Sequence, residues 1–421
     1  MRNIRNPDFE SSAVISLCVL WVSTTFAIAL MEIALVGALV LWGLGKWSAT
    51  RKQHPVLDLG GAKVNAGCSV GGKDRLMWGS LAVFCLIVLL SFFFSEYPKQ
   101  SFRGIFKIAK PILVFIMAAS LFRTGKAQSR FDVAFLITFL IVTLDSSVQY
   151  AFGRDVLRGF PAQASSAGLR LVGPFGDFGK MGAYLILIIP VFLLQGWSKP
   201  VTKGMRRDSL YALLLAAAGF VLLYLTRCRG PVLALVVSFF ALALYKRWFK
   251  AIGIGFLLFL AILAITPRGM IIHLDAESKE QSIIERLELA KRAFDVIKAR
   301  PWLGTGINTY NVAHEKYDTT QNWRVRGYYA HNGYLQLAAE IGIPGIFFFI
   351  LFLILFFKRG LREAKAARGS PEELEQLGIL TGLLAFLLYA MADTNLQSPQ
   401  SLMSFWFMAG VLMARQKPQL P

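Results

Sequence analysis

The sequence predicts an all-α integral membrane protein of about twelve transmembrane helices, with one large, partly helical loop between the ninth and tenth. Three observations carry that prediction. Hydrophobic residues fill 55% of 421 positions and the mean hydropathy is +0.53, whereas a soluble domain is roughly 45–50% apolar even with glycine counted. Charged residues are 17% of the chain and cluster between long apolar runs, a pattern that excludes a disordered or collagen-like chain and argues against nucleic acid as a partner. The basic clusters also alternate along the chain, so the net charge of +20 reads first as topology.

A helix needs about 20 apolar residues to cross a hydrocarbon layer of ~30 Å. Apolar stretches lie near 12–29, 31–47, 76–95, 104–122, 131–150, 180–197, 209–226, 231–245, 251–267, 343–357, 374–392 and 399–414. Arg2 and Arg5 before the first stretch, with Ala27-Ile-Ala29 after it, mimic a cleavable leader. The second stretch is itself apolar enough to span, so residues 12–47 read as a hairpin of two retained helices. With the N-terminus assigned to the cytoplasm, every second connection collects Lys and Arg, 25 of the 45 in all, as the positive-inside rule requires. Both termini are then cytoplasmic. The chain divides into membrane helices one to nine (1–267), an outer loop (268–342), and helices ten to twelve with a short tail (343–421).

The outer loop is too long to be a simple connection. Within it, residues 283–298 place Ile283, Leu287, Ala290, Phe294 and Ile297 on one helical stripe, and Pro301 ends the helix. Arg286 and Lys298 flank that stripe and Arg292 points opposite. Such a helix lies against the membrane or the bundle.

Familiar catalytic frameworks are missing. Cys18, Cys68, Cys85 and Cys228 form no CxxC pair, so neither a disulfide framework nor a zinc site is expected. His54, His273, His314 and His331 show no i,i+4 pairing. There is no Walker loop, serine elbow or Asp-x-Asp pair in the outer segments, and no cofactor is expected. No internal repeat is visible either; duplicated transporters usually show one.

Three polar groups fall at the outer face instead. Leu225-Thr226-Arg227-Cys228-Arg229-Gly230-Pro231 sets two arginines between apolar spans with almost no loop, either as a turn with snorkelling side chains or as a fixed cationic site. Leu169-Arg170-Leu171-Val172-Gly173-Pro174-Phe175-Gly176-Asp177-Phe178-Gly179 is a Gly-rich loop into span six, in which Arg170 either pairs with Asp177 or faces a ligand. The third is Tyr329-Ala330-His331-Asn332-Gly333, followed by Glu340, Gly342 and Gly345. A helix beginning near His331 sets the imidazole at the positive end of a helix dipole, where the neutral base is favoured. Guanidinium groups at Arg170, Arg227, Arg229 and Arg286 suit a diphosphate, which they grip bidentately. Stabilising the charge of a departing diphosphate is a large share of glycosyl transfer, and His331 suits the base that an acceptor hydroxyl needs.

At these residues the sequence resembles the O-antigen ligase family of Gram-negative inner membranes, in a superfamily shared with O-antigen polymerases and protein O-oligosaccharyltransferases. His331-Asn332, nine residues, Gly342, two residues and Gly345 matches the ligase pattern. Thr226-Arg227-Cys228-Arg229-Gly230 resembles the family's Thr-x-Ser-Arg-Gly, with Cys228 in place of Ser. Arg170 to Asp177 resembles Arg-x-x-Gly-x-Phe, although the Asn-Pro-Asn that often follows is not matched. Arg286 with Pro301-Trp302-Leu303-Gly304-Thr305-Gly306 resembles the element that opens the large loop, and Asp393 matches a late outer Asp. The resemblance implies a GT-C-like, metal-independent, inverting glycosyltransferase of lipopolysaccharide biosynthesis, with its active site at the periplasmic face. It would move O-antigen from undecaprenyl diphosphate onto lipid A-core, with His331 as base, arginines 170, 227, 229 and 286 on the diphosphate, and Tyr329, Asn332, Gly342, Gly345 and Asp393 in support. A polymerase or a protein-modifying relative keeps the chemistry and changes the acceptor. A lipid-linked sugar flippase is the reading from another class, and it would need polar residues through the depth of the spans.

Overall fold

The computed structural model describes residues 9–52, 72–165, 168–197, 203–248, 276–317 and 329–415. Its helices are α1 (Phe9–Ser23), α2 (Ile28–Lys52), α3 (Gly72–Phe93), α4 (Pro98–Leu121), α5 (Gly125–Phe152), α6 (Phe178–Trp197), α7 (Lys203–Leu225), α8 (Arg229–Lys246), α9 (Ala276–Ala299), α10 (Tyr310–Ala313), α11 (Gly333–Ala366), α12 (Pro371–Tyr389) and α13 (Pro399–Arg415). Among the described residues, 8 helices are long and apolar enough to cross a membrane: α2 to α8 and α11. Every expected span except the ninth falls on a helix; the ninth, 251–267, lies outside the described residues, as do Trp323, Arg324 and Arg326. The all-helical expectation needs one amendment. Strands β1 (Gln163–Ser165) and β2 (Gly168–Arg170) pair antiparallel, with Gln163 opposite Arg170.

Burial explains the layering. Helix α6 is apolar on all sides and buried along nearly its whole length, as is α13, which is how a helix surrounded by other helices reads. Helix α6 packs against α7, α8 and α12, while α13 packs against α4. The close crossing of α6 and α12 depends on Gly378 and Gly382: a Cβ on Gly378 would sit 3.0 Å from the Pro190 carbonyl oxygen, the small-residue packing that brings membrane helices together. Peripheral helices instead turn apolar side chains outward, as α2 does with Ile33, Val36 and Val40.

Of the two surfaces expected for the loop helix, membrane or bundle, the bundle does not cover most of its apolar stripe. Leu289, Arg292, Ala293 and Val296 form the buried face of α9, with Arg292 only 1% exposed, whereas Leu287 is 65% and Phe294 50% exposed. Arg292 therefore lies beneath the helix, facing a small core of Ala293, Val296, Tyr310, Ala330 and Ala339, while Leu287 and Phe294 of the apolar stripe face out and Ile297 packs against that core. In a membrane protein an apolar face gains as much from lipid as from protein, so apolarity alone does not decide which way the stripe turns. The spans are also less free of charge than the sequence reading required, since Lys110 on α4 pairs with Glu32 on α2 at 2.6 Å.

The tenth span begins earlier than expected, within α11, and α11 breaks at Gly342 (φ 76°, ψ 175°). The break receives the Pro301–Gly306 segment: Ile343 N donates to the Pro301 carbonyl (2.7 Å), Gly306 N to the Glu340 carbonyl (2.9 Å), and Thr305 N to the Ala339 carbonyl (3.1 Å). Beneath it, the fully buried Glu340 carboxylate accepts from Asn308 N (2.8 Å) and Gln336 Nε2 (3.1 Å).

Candidate functional site

Segments far apart in sequence meet where α6, α8 and α11 begin and α12 ends. Asn332 is the N-cap of α11, its Oδ1 accepting from Tyr334 N and Leu335 N at 3.1 Å each. This satisfies two of the helix's orphan donors. The next donor, Gly333 N, bonds the carbonyls of Ala390 (2.8 Å) and Asp393 (3.1 Å). The start of α11 is thereby fastened to the turn that leaves α12, and His331 Nδ1 lies 3.9 Å from Asp393 Oδ1. That is an ion-pair distance, too long for a hydrogen bond. His331 is also held at φ 47°, a backbone region that non-glycine side chains rarely adopt and that clusters at functional sites.

Tyr389, at the last position of α12, joins the other two groups. Its hydroxyl donates to Asp393 Oδ2 and lies 3.9 Å from Cys228 Sγ. Two glycines leave room for it. A Cβ on Gly179 would fall 2.8 Å from the Tyr389 hydroxyl and 2.9 Å from Asp393 Oδ2, and one on Gly230 would meet the Tyr389 ring at 2.7 Å. Burial pushes the Cys228 thiol pKa up, opposed by the Tyr389 hydroxyl and the nearby charge of Arg170.

Arg170 ends β2, and its guanidinium stacks on Phe178 at 4.8 Å. It does not pair with Asp177, whose Oδ1 instead accepts from Lys180 N (2.8 Å) at the start of α6. The hairpin end is fixed from below by Gln149 of α5, whose Oε1 accepts from Val172 N (3.0 Å) and Gly173 N (2.9 Å), and from the side by Leu171 N donating to the Leu225 carbonyl (3.0 Å). Arg227, at φ 52°, stacks on Tyr224 at 4.3 Å. The Nε atoms of Arg170 and Arg227 are both buried and hydrogen-bonded to no described protein atom. Arg229 is the exposed first residue of α8, Arg286 is exposed on α9, and Tyr329 is exposed just before His331.

His331, Asp393, Cys228 and Arg170 therefore share one region. Among the described residues no hydrogen bond or ion pair joins Arg286 to it; Gly342 lies at the loop dock, and Gly345 follows it on α11. Among the described residues, no three His, Cys, Asp or Glu side chains converge as metal ligands. Tyr389 was not visible from sequence, because a tyrosine at a span end reads as an interfacial aromatic. Gln149 was equally hidden inside an apolar run.

Residues 212–350 match the family described as O-Antigen ligase. The match covers 139 of the 421 residues and supports a relation to the O-antigen ligase and polymerase superfamily over that stretch. No curated protein matches the chain. The O-antigen ligase match runs from within α7 to within α11 and includes Arg227, Arg229, Arg286 and His331, while Arg170, Tyr389 and Asp393 lie outside it.

Proposed function

We propose that this protein is an O-antigen ligase, a glycosyltransferase that moves a polysaccharide from undecaprenyl diphosphate to a sugar hydroxyl of lipid A-core at the periplasmic face of the inner membrane. The observation that carries the reading is the convergence of His331 and Asp393 with Arg170 and the Arg227–Gly230 turn. In this reading the acceptor hydroxyl loses its proton to His331 as it attacks the anomeric carbon, and the bond to the diphosphate breaks. Inversion follows from attack opposite the leaving group. Arg170 and Arg227 take the developing charge, and their unpartnered Nε–H groups find the phosphate oxygens as acceptors, which makes up for their burial. Asp393 faces the other imidazole nitrogen, where a carboxylate stabilises the cation formed on proton uptake. Arg229 and Arg286 supply further positive charge toward the headgroup, and no metal ion takes part.

The test is transfer by purified protein in detergent, given undecaprenyl diphosphate-linked glycan and either lipid A-core, a second glycan chain or a protein acceptor, with and without chelator. Transfer to lipid A-core, undiminished by chelator and reduced at least about a hundredfold in His331→Ala, is the expected result. Wild-type rates in His331→Ala would remove the base assignment. Transfer only to glycan would make the protein a polymerase, and no transfer to any acceptor would favour a flippase.

A further inference from the structure

We propose that Tyr389 is a positioning residue, whose hydroxyl sets the Asp393 carboxylate that in turn orients the His331 imidazole. The inference rests on the ligase reading through the role of His331. Asp393 follows the end of α12 in a turn, where a carboxylate has several rotamers open to it. Two contacts select one of them: Oδ2 accepts from the Tyr389 hydroxyl, and Oδ1 accepts from Thr394 N at 2.7 Å. With both in place, Oδ1 is the oxygen that faces His331 Nδ1, at 3.9 Å.

The Tyr389 ring is itself closely held. It is 3% exposed, and the missing side chains of Gly179 and Gly230 form the slot that accepts its hydroxyl and its ring edge. Those glycines belong to the segments that carry Arg170 and Arg229. One phenol thus ties the position of the base to the two strongest arginine elements, through contacts that a phenylalanine would keep everywhere except at the hydroxyl.

Steady-state transfer by Tyr389→Phe, Asp393→Asn and the double variant tests this. Tyr389→Phe is expected to lower kcat about tenfold, the value of a hydrogen bond to a charged group, with KM for the lipid-linked donor unchanged. The double variant is expected to be no slower than Asp393→Asn, because both changes break one chain of contacts. Gly179→Ala, whose Cβ falls on both the hydroxyl and Asp393 Oδ2 and so breaks the contact between them, is expected to reproduce the kcat loss and serves if Tyr389→Phe does not fold. A wild-type kcat in Tyr389→Phe, a loss confined to KM, or a loss that multiplies with that of Asp393→Asn would overturn the proposal. If His331→Ala itself transfers at the wild-type rate, the ligase reading fails instead; if His331→Ala is inactive and Tyr389→Phe is normal, only the role of Tyr389 fails.

Discussion

Replacing Gly342 with alanine should undock the Pro301–Gly306 segment while leaving the helical bundle folded. At φ 76° and ψ 175°, Gly342 occupies a region essentially restricted to glycine, where another residue costs about 1–3 kcal/mol. The new Cβ would also strike the Trp302 carbonyl and come within 2.8 Å of Leu303 N, so the loop must move. Movement breaks the bonds from Ile343 N, Gly306 N and Thr305 N, each contributing about 1 kcal/mol net. The strain alone, about 1–3 kcal/mol on the docked state, lowers its population about five- to a hundredfold relative to the undocked one. Trypsin digestion of the purified protein, read by mass spectrometry, should show faster cleavage at Lys298 and Lys316, and glycan transfer should drop by at least about tenfold. Gly79→Ala is the control, because a Cβ there meets nothing within 4 Å, and it should be neutral or slightly stabilising. A Gly342→Ala protein with wild-type protease resistance and activity would refute the docking argument.

Other outcomes follow from the same geometry. Arg170→Lys keeps the charge but loses the planar fork and the stacking on Phe178, so transfer should fall about tenfold or more; an unchanged rate would make Arg170 a packing residue. Glu96, between α3 and α4, accepts from Lys316 at 2.8 Å and also pairs with Arg300, and the Lys316 hydrogen bond heads the causes that hold its carboxyl below the usual range. A lowered folded-state pKa stabilises the native contact above the ordinary carboxylate value and loses that effect as pH falls through the depressed one. Protease protection of residues 300–317 should accordingly persist to about pH 5 and decline below about pH 4, with Glu96→Gln weakening it above that range and removing the decline; a pH-independent digestion rate would count against the pairing. Cys228, its thiol pushed up by burial, should react slowly with maleimide at neutral pH and faster above pH 9, and prompt labelling at pH 7 would contradict its burial.

The parts of the site written as local patterns were legible in the sequence. His331-Asn332 reads as a helix start, and Asn332 caps α11. Arg227 to Gly230 reads as a turn between spans; Thr226 to Cys228 form the turn, and Arg229 already begins α8. What failed to show were pairings between distant segments. Nothing near Pro301 announces that it docks on a break at Gly342, although both glycine patterns were visible. Strands of three residues carry no alternation to detect, so β1 and β2 were missed. Helical periodicity located the stripe on α9 without saying which of the two media, membrane or bundle, covers it. Tyr389 had no distinguishing neighbour except Asp393, one helical turn on.

The site also has an order of assembly. Cys228 and Tyr389 are separated by 161 positions, and His331 enters the chain between them, so membrane insertion from the N-terminus delivers the arginines of 170–229 long before α12 brings Tyr389 and Asp393. A growing chain thus presents charges able to hold an anionic lipid headgroup before the imidazole has its carboxylate. On the ligase reading, a ribosome-stalled chain ending before α12 should insert yet remain inert.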